Sequence, residues 1–542
     1  MLLALGLLMV PRPAMAAERG DLAGYSNLFE NGISSSVIDT YLTVYGMGEL
    51  TPVPYDVAVY RVSYWTLDAI SQDVVLASGA LQIPLANGVP LSSPGPLLMY
   101  AHGTESYRWN VPSCPHNSPT GPYSQDLPLN SKTVEALPFS SAGYCVFAPD
   151  YAGLGFDTNS LITPYLIADR EPIAVIDGLR ASRDLAAQIN LPLSDQIFLT
   201  GYSQGGHVCL ATHRMIEQEY ADEFRITAAA PGSAPANLSG SMTEAFKDHL
   251  QGGTAFAAFA MAAYQPRYHL WNDFNEVFLP AYTNIPYLFY GATVPLATIA
   301  VQLPATAQTL FTTAVIQQAT NPASLFAMTI ASNNVYQWRP YCPIELFYAG
   351  GDVTVPPSNS LVAYAAMQAL GADVSITNVG DTLNHGTGFG KIQAGILRYF
   401  NQYRDAVAVV SPADLDGDGR ADLIGVMGSS WYVWFSASQY LVPCGPYDLG
   451  ISGLPATGDI DGDGLADLIS VVGSSWYVWF STSQYLVRSG PYDLGISGTP
   501  ATGDIDGDGL ADLICVVGAN WYVWFSTSQY LVPCGPYTLK MP

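Results

Sequence analysis

The chain has 542 residues, of which 49% are hydrophobic and only 12% are charged. That balance excludes a disordered protein, and the length allows two or three domains. The 19 Lys and Arg residues against 45 Asp and Glu residues give a formal net charge of −26. Nucleic-acid binding needs clustered cations that displace counterions, so we exclude a nucleic-acid partner.

The N-terminus has the pattern of a secretory signal peptide. Residues 1–10 form an apolar run, and Ala14-Met15-Ala16 follows as an A-x-A cleavage motif. We predict a signal peptide over 1–16 and a secreted, periplasmic or cell-surface protein; the alternative is a buried N-terminal helix. The apolar run is too short to span a bilayer, and no later run of 18 uninterrupted apolar residues follows, so we expect no transmembrane segment.

Between about residues 55 and 404, short apolar runs alternate with amphipathic stretches. Alternation of this kind predicts an α/β fold whose mostly parallel, doubly wound sheet is covered on both faces. A sheet of this type carries its site at the carboxyl ends of the strands. The predicted strands are 96–101, 144–148, 196–200, 227–230, 344–348 and 374–379, and the predicted helices are 172–189, 206–220 and 360–370.

A candidate nucleophile lies at one of these strand ends. Gly201-Tyr-Ser203-Gln-Gly205 has the G-x-S-x-G pattern of a nucleophile elbow, between a predicted strand and a predicted helix. Small residues at 201 and 205 allow a sharp turn that projects the hydroxyl of Ser203. The helix N-terminus also favours a developing negative charge.

A nucleophilic serine needs a base and a group that orients the base. Asp352 follows the strand that ends at Tyr348, and His385 follows the strand 374–379 in a predicted loop. The order Ser203, Asp352, His385 is the order of an α/β-hydrolase triad. His207 and His213 lie on the helix after the elbow and are expected to be structural.

The tetrahedral intermediate that follows attack by a serine on a carbonyl needs backbone N–H donors. We predict the amide of Gln204, directly after the nucleophile, and the amide of Thr104, in the loop after the strand 96–101; Gly103 is the fallback. His102 is expected to brace that loop.

Three motifs together resemble the secretory lipase family, the yeast lipase A type of α/β-hydrolase. They are His102-Gly-Thr104, Pro149-Asp-Tyr-Ala-Gly-Leu-Gly155 and Gly201-Tyr-Ser-Gln-Gly-Gly206. The resemblance covers about residues 25–404. It implies hydrolysis of carboxylic esters through an acyl-serine without a cofactor, a helical cap between the nucleophile and the acid, and a loop-fixing role for Asp150.

The sequence supports that cap independently. Between about residues 237 and 340 the strand pattern stops, and the stretches 255–264 and 295–316 are apolar with almost no charge. An apolar lid suits a lipophilic acyl chain, although the same composition also fits a plain hydrophobic core.

The last quarter of the chain repeats itself with a period of 45 residues. Each copy contains the loop D-x-D-G-D-G-x-x-D, which brings carboxylates together around a hard cation such as Ca²⁺. A hairpin turn without metal is the alternative. The predicted ligands are Asp414, Asp416, Asp418, Asp422, Asp459, Asp461, Asp463, Asp467, Asp504, Asp506, Asp508 and Asp512.

Each copy continues into Trp-Tyr-Val-Trp-Phe-Ser, a strand that is bulky on both faces. Residues 405–542 resemble the FG-GAP/VCBS family of calcium-binding propeller blades, which implies an all-β domain with a glycan or protein ligand. Three blades cannot close an ordinary ring, so we expect self-association or docking on the rest of the chain to cover the open edges. A passive, stabilising appendage is the other interpretation.

These features predict a secreted serine carboxylic-ester hydrolase, a lipase or esterase acting on lipophilic esters, with a catalytic domain over 17–404. One alternative is another acyl-transfer enzyme: a peptidase, a polyester depolymerase or an acyltransferase. The other is a glycan-binding or adhesion protein with an inactive hydrolase-like domain. Seven cysteines leave at least one thiol unpaired within the chain, and Cys114 and Cys342 lie in loops where a bridge is conceivable.

Overall fold

The computed structural model describes residues 17–121, 123–404, 408–415, 422–427, 430–434, 443–448, 454–472, 474–481, 488–493, 495–496, 498–517, 520–526 and 533–538. The chain forms two compact units, Met1–Arg404 and Asp405–Pro542. The signal peptide predicted over 1–16 lies outside the described residues.

A ten-stranded sheet forms the centre of the first unit. Its strands are β1 (Leu22–Asn27), β2 (Asp56–Leu67), β3 (Val74–Ala86), β4 (Val89–Pro90), β5 (Gly95–Ala101), β6 (Cys145–Pro149), β7 (Leu193–Tyr202), β8 (Ala228–Gly232), β9 (Ile344–Tyr348) and β10 (Val374–Asn378).

The sheet order is β1-β2-β3-β6-β5-β7-β8-β9-β10, with β4 paired to β3. The pairs from β1 to β6 are antiparallel, and the pairs from β6 to β10 are parallel. β5, β6 and β8 are buried along their whole length, as expected for strands covered on both faces.

Twelve α-helices accompany the sheet within the described part of this unit. They are α1 (Ser35–Val44), α2 (Ser131–Ser140), α3 (Glu171–Gln188), α4 (Gln204–Glu219), α5 (Leu238–Phe246), α6 (Gly253–Tyr268), α7 (Leu296–Ala300), α8 (Ala307–Leu310), α9 (Thr313–Thr320), α10 (Leu325–Ser332), α11 (Ser358–Ala369) and α12 (His385–Arg404). No helix in the described part of the chain is long and apolar enough to cross a membrane.

The α/β-hydrolase class predicted from sequence is confirmed, with small differences at the element ends. α4 begins at Gln204 rather than at residue 206, and His385 begins α12 instead of lying in a loop. The chain leaves β5 toward β6 on one side and returns to β7 on the other. A crevice therefore opens at the carboxyl ends of β5 and β7, where sheets of this type bind ligands.

Helices α5 to α10 and three short 3₁₀ turns fill the interval between β8 and β9, which is described throughout. Their apolar side chains form a separate core around Phe246, Phe259, Phe311 and Phe326. Ile162 to Ile167, from the loop before α3, pack into the same core. The predicted low-charge segment is therefore helical, and its apolar residues pack mainly on one another.

The second unit contains three four-stranded antiparallel sheets. They are β11 (Ala408–Ala413) to β14 (Pro443–Asp448), β15 (Leu454–Gly458) to β18 (Arg488–Asp493), and β19 (Thr499–Gly503) to β22 (Pro533–Thr538). The inner strands are β12 (Asp422–Met427), β13 (Ser430–Trp434), β16 (Asp467–Val472), β17 (Ser475–Trp479), β20 (Asp512–Val517) and β21 (Asn520–Trp524). Each carboxylate loop connects the first and second strands of its sheet.

Candidate active site

Ser203 lies on a strained turn between β7 and α4. Its φ of 61° and ψ of −121° are uncommon for a residue with a side chain. The turn depends on the glycines beside it, since a Cβ on Gly205 would lie 1.9 Å from the Ala101 carbonyl oxygen, and a Cβ on Gly201 would lie 2.3 Å from the Gly205 carbonyl oxygen. The hydroxyl consequently projects from the carboxyl end of the central strand.

His385 connects Ser203 to Asp352. Its Nε2 lies 2.9 Å from the Ser203 Oγ, and its Nδ1 lies 2.6 Å from the Asp352 Oδ2. A carboxylate only accepts hydrogen bonds, so Nδ1 carries the proton and Nε2 is left to accept from the serine. Three side chains distant in sequence thus form one hydrogen-bonded row.

Both partners of the serine are held in place. The buried Asp352 accepts hydrogen bonds from the amides of Thr354 and Val355, each 2.9 Å from its Oδ1. The Tyr202 hydroxyl donates to the His385 carbonyl oxygen, which fixes the start of α12. Asp352 and His385 are therefore positioned by hydrogen bonds to neighbouring residues as well as by their hydrogen bond to each other.

The predicted oxyanion donors lie close to Ser203. Gln204 is the first residue of α4, so its amide has no partner within the helix, and Thr104 lines the same two cavities as Ser203. Within the described part of the chain, no backbone acceptor is bonded to either amide. Both amides are thus available to a ligand.

A buried polar network fixes the Thr104 loop. The His102 Nδ1 lies 2.8 Å from the Gly103 carbonyl oxygen, and Tyr151 donates a hydrogen bond to the His102 carbonyl. Burial, with a smaller effect of the nearby Lys132, lowers the pKa of His102 to about 4, so the ring is neutral at pH 7. These contacts agree with a bracing role for His102.

Asp150 is fully buried and accepts hydrogen bonds from the hydroxyls of Ser78 and Ser113 at 2.5 Å each. It accepts a further bond from the amide of Ser113, and burial raises its pKa. These contacts tie the loop after β6 to β3, as the family resemblance implied.

One part of the site was missed by the sequence analysis. Glu171, at the start of α3, accepts a hydrogen bond at 2.9 Å from the Gln204 side-chain amide, and its other oxygen lies 2.8 Å from the His207 Nδ1. The His207 Nε2 lies 2.9 Å from the Asn333 carbonyl oxygen, just after α10. His207 makes the contacts expected of a structural residue, and it holds the carboxylate that contacts the side chain of Gln204, one of the two predicted oxyanion donors.

Two cavities meet at Ser203. The smaller, of about 50 Å³, extends under α5 and α6 and is lined mainly by apolar side chains such as Leu238, Met242 and Phe256. The larger, of about 870 Å³, includes His385 and the buried Lys132–Glu135 ion pair, whose charged atoms are 3.0 Å apart. The serine therefore lies between a small apolar cavity and a wider one, whose lining is also mostly apolar but includes His385 and the Lys132–Glu135 ion pair.

Carboxylates converge in the second and third repeat loops. Oxygens of Asp459, Asp461 and Asp467 lie within 4.8 Å of one another, and the equivalent oxygens of the third loop do the same. Burial, then the neighbouring carboxylates, raise the pKa of Asp467 to about 6. A hard cation would relieve this repulsion, so the donor set fits Ca²⁺.

Other predicted ligands are placed differently. Asp463 accepts a hydrogen bond from the Ser481 hydroxyl, Asp508 accepts one from Ser526, and neither belongs to the converging groups. In the first loop, Asp416 and Asp418 lie outside the described residues. Asp414 and Asp422 are described, but no converging group is found there among the described residues.

Cys114, Cys145, Cys209, Cys342 and Cys515 are free thiols. Cys114 and Cys342 therefore do not form the bridge that the sequence left open. The Cys342 Sγ lies 3.1 Å from the Nε2 of His213, which is itself 2.8 Å from Glu217. This buried group connects α4 to the start of β9.

Residues 130–385 match the family model described as Secretory lipase, and residues 459–515 match the model described as FG-GAP-like repeat. The chain has no match among the curated proteins with which it was compared.

Two similar solved structures each cover more than two thirds of the chain. A ligand-bound form of the rice cell wall degrading esterase LipA from Xanthomonas oryzae is 27% identical with a TM-score of 0.62, over 72% of this chain and 99% of that chain. A predicted hydrolase from Legionella pneumophila is 26% identical with a TM-score of 0.63, over 71% of this chain and 98% of that chain. The chain thus matches the Secretory lipase family over 130–385 and FG-GAP-like repeats over 459–515, and these matches support an ester hydrolase of the lipase and esterase class.

Proposed function

We propose that the protein hydrolyses carboxylic esters through an acyl-enzyme formed on Ser203. One observation carries the proposal: His385 lies between the serine and a buried carboxylate, 2.9 Å from the Ser203 Oγ and 2.6 Å from the Asp352 Oδ2. A neutral imidazole in that position removes the serine proton as the oxygen attacks, and the carboxylate stabilises the imidazolium that forms.

The attack converts the ester carbonyl into a tetrahedral oxyanion. The amides of Gln204 and Thr104 donate to this oxygen, and the N-terminus of α4 adds its partial positive charge. His385 then gives its proton to the leaving alcohol as the bond between the carbonyl carbon and the alcohol oxygen breaks. Water, activated by the same imidazole, releases the acid and restores the serine.

The position of the base distinguishes the two cavities. The leaving alcohol takes its proton from His385, so it departs through the larger cavity, which His385 lines. The acyl group stays on Ser203 and occupies the apolar cavity under α5 and α6, which His385 does not line. The substrate is accordingly an ester with an apolar acyl part, and the larger cavity has room for a larger alcohol.

Substitution of the nucleophile tests the reaction. We expect Ser203→Ala to abolish hydrolysis of p-nitrophenyl esters and covalent labelling by a fluorophosphonate probe, with an unchanged melting temperature. Ser375→Ala, on β10, is the matched control, because among the described residues that hydroxyl makes only a 3.5 Å contact with the Ile344 carbonyl. Labelling that persists in Ser203→Ala would assign the reaction to another residue and contradict the proposal.

A substrate panel separates ester hydrolysis from the alternatives. Short and long p-nitrophenyl esters, acylated sugars and peptide amides should be compared at equal concentration. We expect turnover of the esters and none of the amides. Acylated cell-wall polysaccharide belongs in the panel because the Xanthomonas neighbour is described as degrading rice cell walls.

We also propose that the repeat loops hold Ca²⁺. The converging carboxylates of Asp459, Asp461 and Asp467, and those of Asp504, Asp506 and Asp512, are the ligands that the described loops offer. Bound Ca²⁺ would neutralise part of the negative charge of residues 405–542, which contain 15 Asp, no Glu and three Lys or Arg.

Secretion is proposed from the apolar run and A-x-A motif of residues 1–16, together with the family of the matched domain. N-terminal sequencing of protein recovered from the culture medium or periplasm tests it. A first residue near Ala17 is expected, and an intact Met1 on exported protein would contradict it.

A further inference from the structure

A buried ion pair lines the wall of the larger cavity. Lys132 and Glu135 lie three residues apart on α2, and the Lys132 Nζ is 3.0 Å from the Glu135 Oε1. Only 10% of each side chain is exposed. Replacing such a pair with apolar residues is often neutral or stabilising, so stability alone does not account for two charges beside the active site.

The pair has hydrogen-bonding capacity that the described part of the chain does not use. The ammonium of Lys132 carries three donors, and among the described residues only the Glu135 carboxylate accepts from it. The other oxygen of Glu135 accepts one long bond, at 3.4 Å from the Gly103 amide, and has room for a second donor. A donor and an acceptor therefore lie side by side on the cavity wall.

The ammonium lies close to the nucleophile. A Cβ on Gly103 would lie 3.7 Å from the Lys132 Nζ and 3.8 Å from the Ser203 Cβ, so one carbon-sized position contacts both. The pair lines the same cavity as His385 and does not occur among the described residues that line the small apolar cavity. Since His385 protonates the leaving alcohol, the pair faces the alcohol part of the ester.

The surrounding charges select the chemistry of the group that binds. Burial raises the pKa of a second buried carboxylate, Glu105, and the charge of Lys132 is close enough to oppose that rise. A carboxylate or phosphate on the alcohol would be repelled by Glu105 and by Glu135. A hydroxyl is neutral, accepts a hydrogen bond from the ammonium and donates one to the second oxygen of Glu135.

We propose that Lys132 and Glu135 are specificity-determining residues, which bind a free hydroxyl on the carbon next to the esterified carbon of the alcohol. The preferred substrates are accordingly partly acylated polyols, such as monoesters of a diol, of glycerol or of a sugar. A simple alkyl ester or a fully acylated polyol lacks that hydroxyl and leaves a buried donor and acceptor unpaired, which weakens binding of the transition state. The inference rests on the proposed ester hydrolysis and specifies its alcohol.

Esters that differ in one group test the proposal on the wild-type protein. In 2-hydroxyethyl butyrate a hydroxyl replaces the terminal methyl group of propyl butyrate, and the acyl part is the same. Each kcat/KM is divided by the rate constant for hydroxide-catalysed hydrolysis of the same ester. We expect this normalised kcat/KM to be at least about tenfold higher for the hydroxyethyl ester. Butyryloxyacetate, whose alcohol part carries a carboxylate, should give the lowest value of the three.

Removal of the pair should abolish this preference. The double variant Lys132→Met, Glu135→Leu replaces both charges by apolar side chains of similar size, so neither charge is left buried alone. Its normalised kcat/KM should be the same for the hydroxyethyl and propyl esters. The double variant Lys247→Met, Glu244→Leu is the matched control, because that pair has the same sequence spacing and the same 3.0 Å separation but is more exposed. The control should keep the full preference.

Each result decides the question. Equal normalised values for the hydroxyethyl and propyl esters in the wild type, or the highest value for butyryloxyacetate, would overturn the proposal and leave ester hydrolysis intact. A preference that persists in the folded Lys132→Met, Glu135→Leu variant would overturn it too, because the pair would then only support the Gly103 loop. If circular dichroism shows that this variant is unfolded, the wild-type comparison still decides. Hydrolysis of none of the three esters would instead contradict the proposed function.

Discussion

The two units place their chemical groups in opposite ways. In the first unit, Ser203, Asp352 and His385 are distant in sequence and form a single site. They meet only because the fold brings them together. In the second unit, each carboxylate group lies within nine residues and recurs along the chain. A single substitution should therefore abolish the function of the first unit but remove only a fraction of the function of the second.

Burial differs in the same direction. Asp352 and Glu171 are almost inaccessible, so their carboxylates depend on specific hydrogen-bond partners. Asp461, Asp463, Asp504, Asp506 and Asp508 are exposed, so water screens them when no cation is present. The first unit should consequently respond to changes of single atoms, and the second to the calcium concentration.

The largest expected effect follows from changing one atom of the buried carboxylate. Asp352→Asn keeps an oxygen for the amides of Thr354 and Val355 but presents an NH₂ group to the His385 Nδ1. The imidazole then carries its proton on Nε2 and cannot accept one from Ser203. We expect kcat to fall about 10⁴-fold, with an unchanged melting temperature, in p-nitrophenyl ester kinetics.

Asp381→Asn is the matched control, because Asp381 is an exposed carboxylate in the loop just before His385 and contacts only Asn378 through its side chain in the described structure. A comparable loss of activity in Asp381→Asn would show that loop disturbance, rather than the imidazole tautomer, is responsible.

A second prediction concerns acid stability of the first unit. The pKa of His102 is lowered to about 4 in the folded state, against about 6.5 when unfolded, so the unfolded state takes up a proton first as pH falls. Stability should be unaffected above pH 7 and should decrease between pH 6.5 and 4, by up to about 3 kcal/mol from this residue.

The raised pKa of Asp150 acts with the opposite sign, so only a comparison with a variant isolates the histidine. Urea unfolding of wild type and His102→Gln at pH 7 and pH 4.5 gives that comparison. The loss on acidification should be smaller in the variant, and equal losses in the two proteins would refute the assignment.

The sequence analysis identified the parts of the site that have a local signature. The elbow around Ser203 and the carboxylate loops are recognisable because glycine and acidic residues must stand at fixed spacings within nine residues. Asp352 and His385 were found because each follows a predicted strand, and parallel strands end at one edge of a sheet.

The remainder depends on contacts that leave no local pattern. Glu171 precedes Gln204 by 33 residues and meets it only because α3 and α4 pack together. The start of α12 at His385 was read as a loop, since its first turn contains two glycines and no acidic residue to mark a helix N-terminus. The sizes of the two cavities follow from how α5 and α6 pack, which sequence alone does not define.

An intermediate effect is expected at Glu171, which positions Gln204 without touching the substrate. Glu171→Leu removes the acceptor for the Gln204 side chain and leaves His207 without its partner, so we expect kcat to fall about tenfold to hundredfold with little change in KM. Glu171→Gln should restore most of the activity, because its side-chain oxygen still accepts from the Gln204 side chain. Equal activity in the two variants would mean that Glu171 only fills space.

The smallest effect should come from a single repeat loop. With calcium at 100 times the dissociation constant, one occupied site adds about 2.7 kcal/mol to the stability of the folded state. Asp461→Asn should remove one ion, measured by native mass spectrometry, and lower the melting temperature of the repeat transition less than EGTA does. The double variant Asp461→Asn, Asp506→Asn should lose a second ion, and its melting temperature should lie between that of the single variant and that of the protein in EGTA.

Ester hydrolysis should stay unchanged in both variants, because the carboxylates that change lie in the second unit. A single variant that loses all of its calcium would show that the loops bind cooperatively, and the contrast between a unique site and a repeated one would then fail.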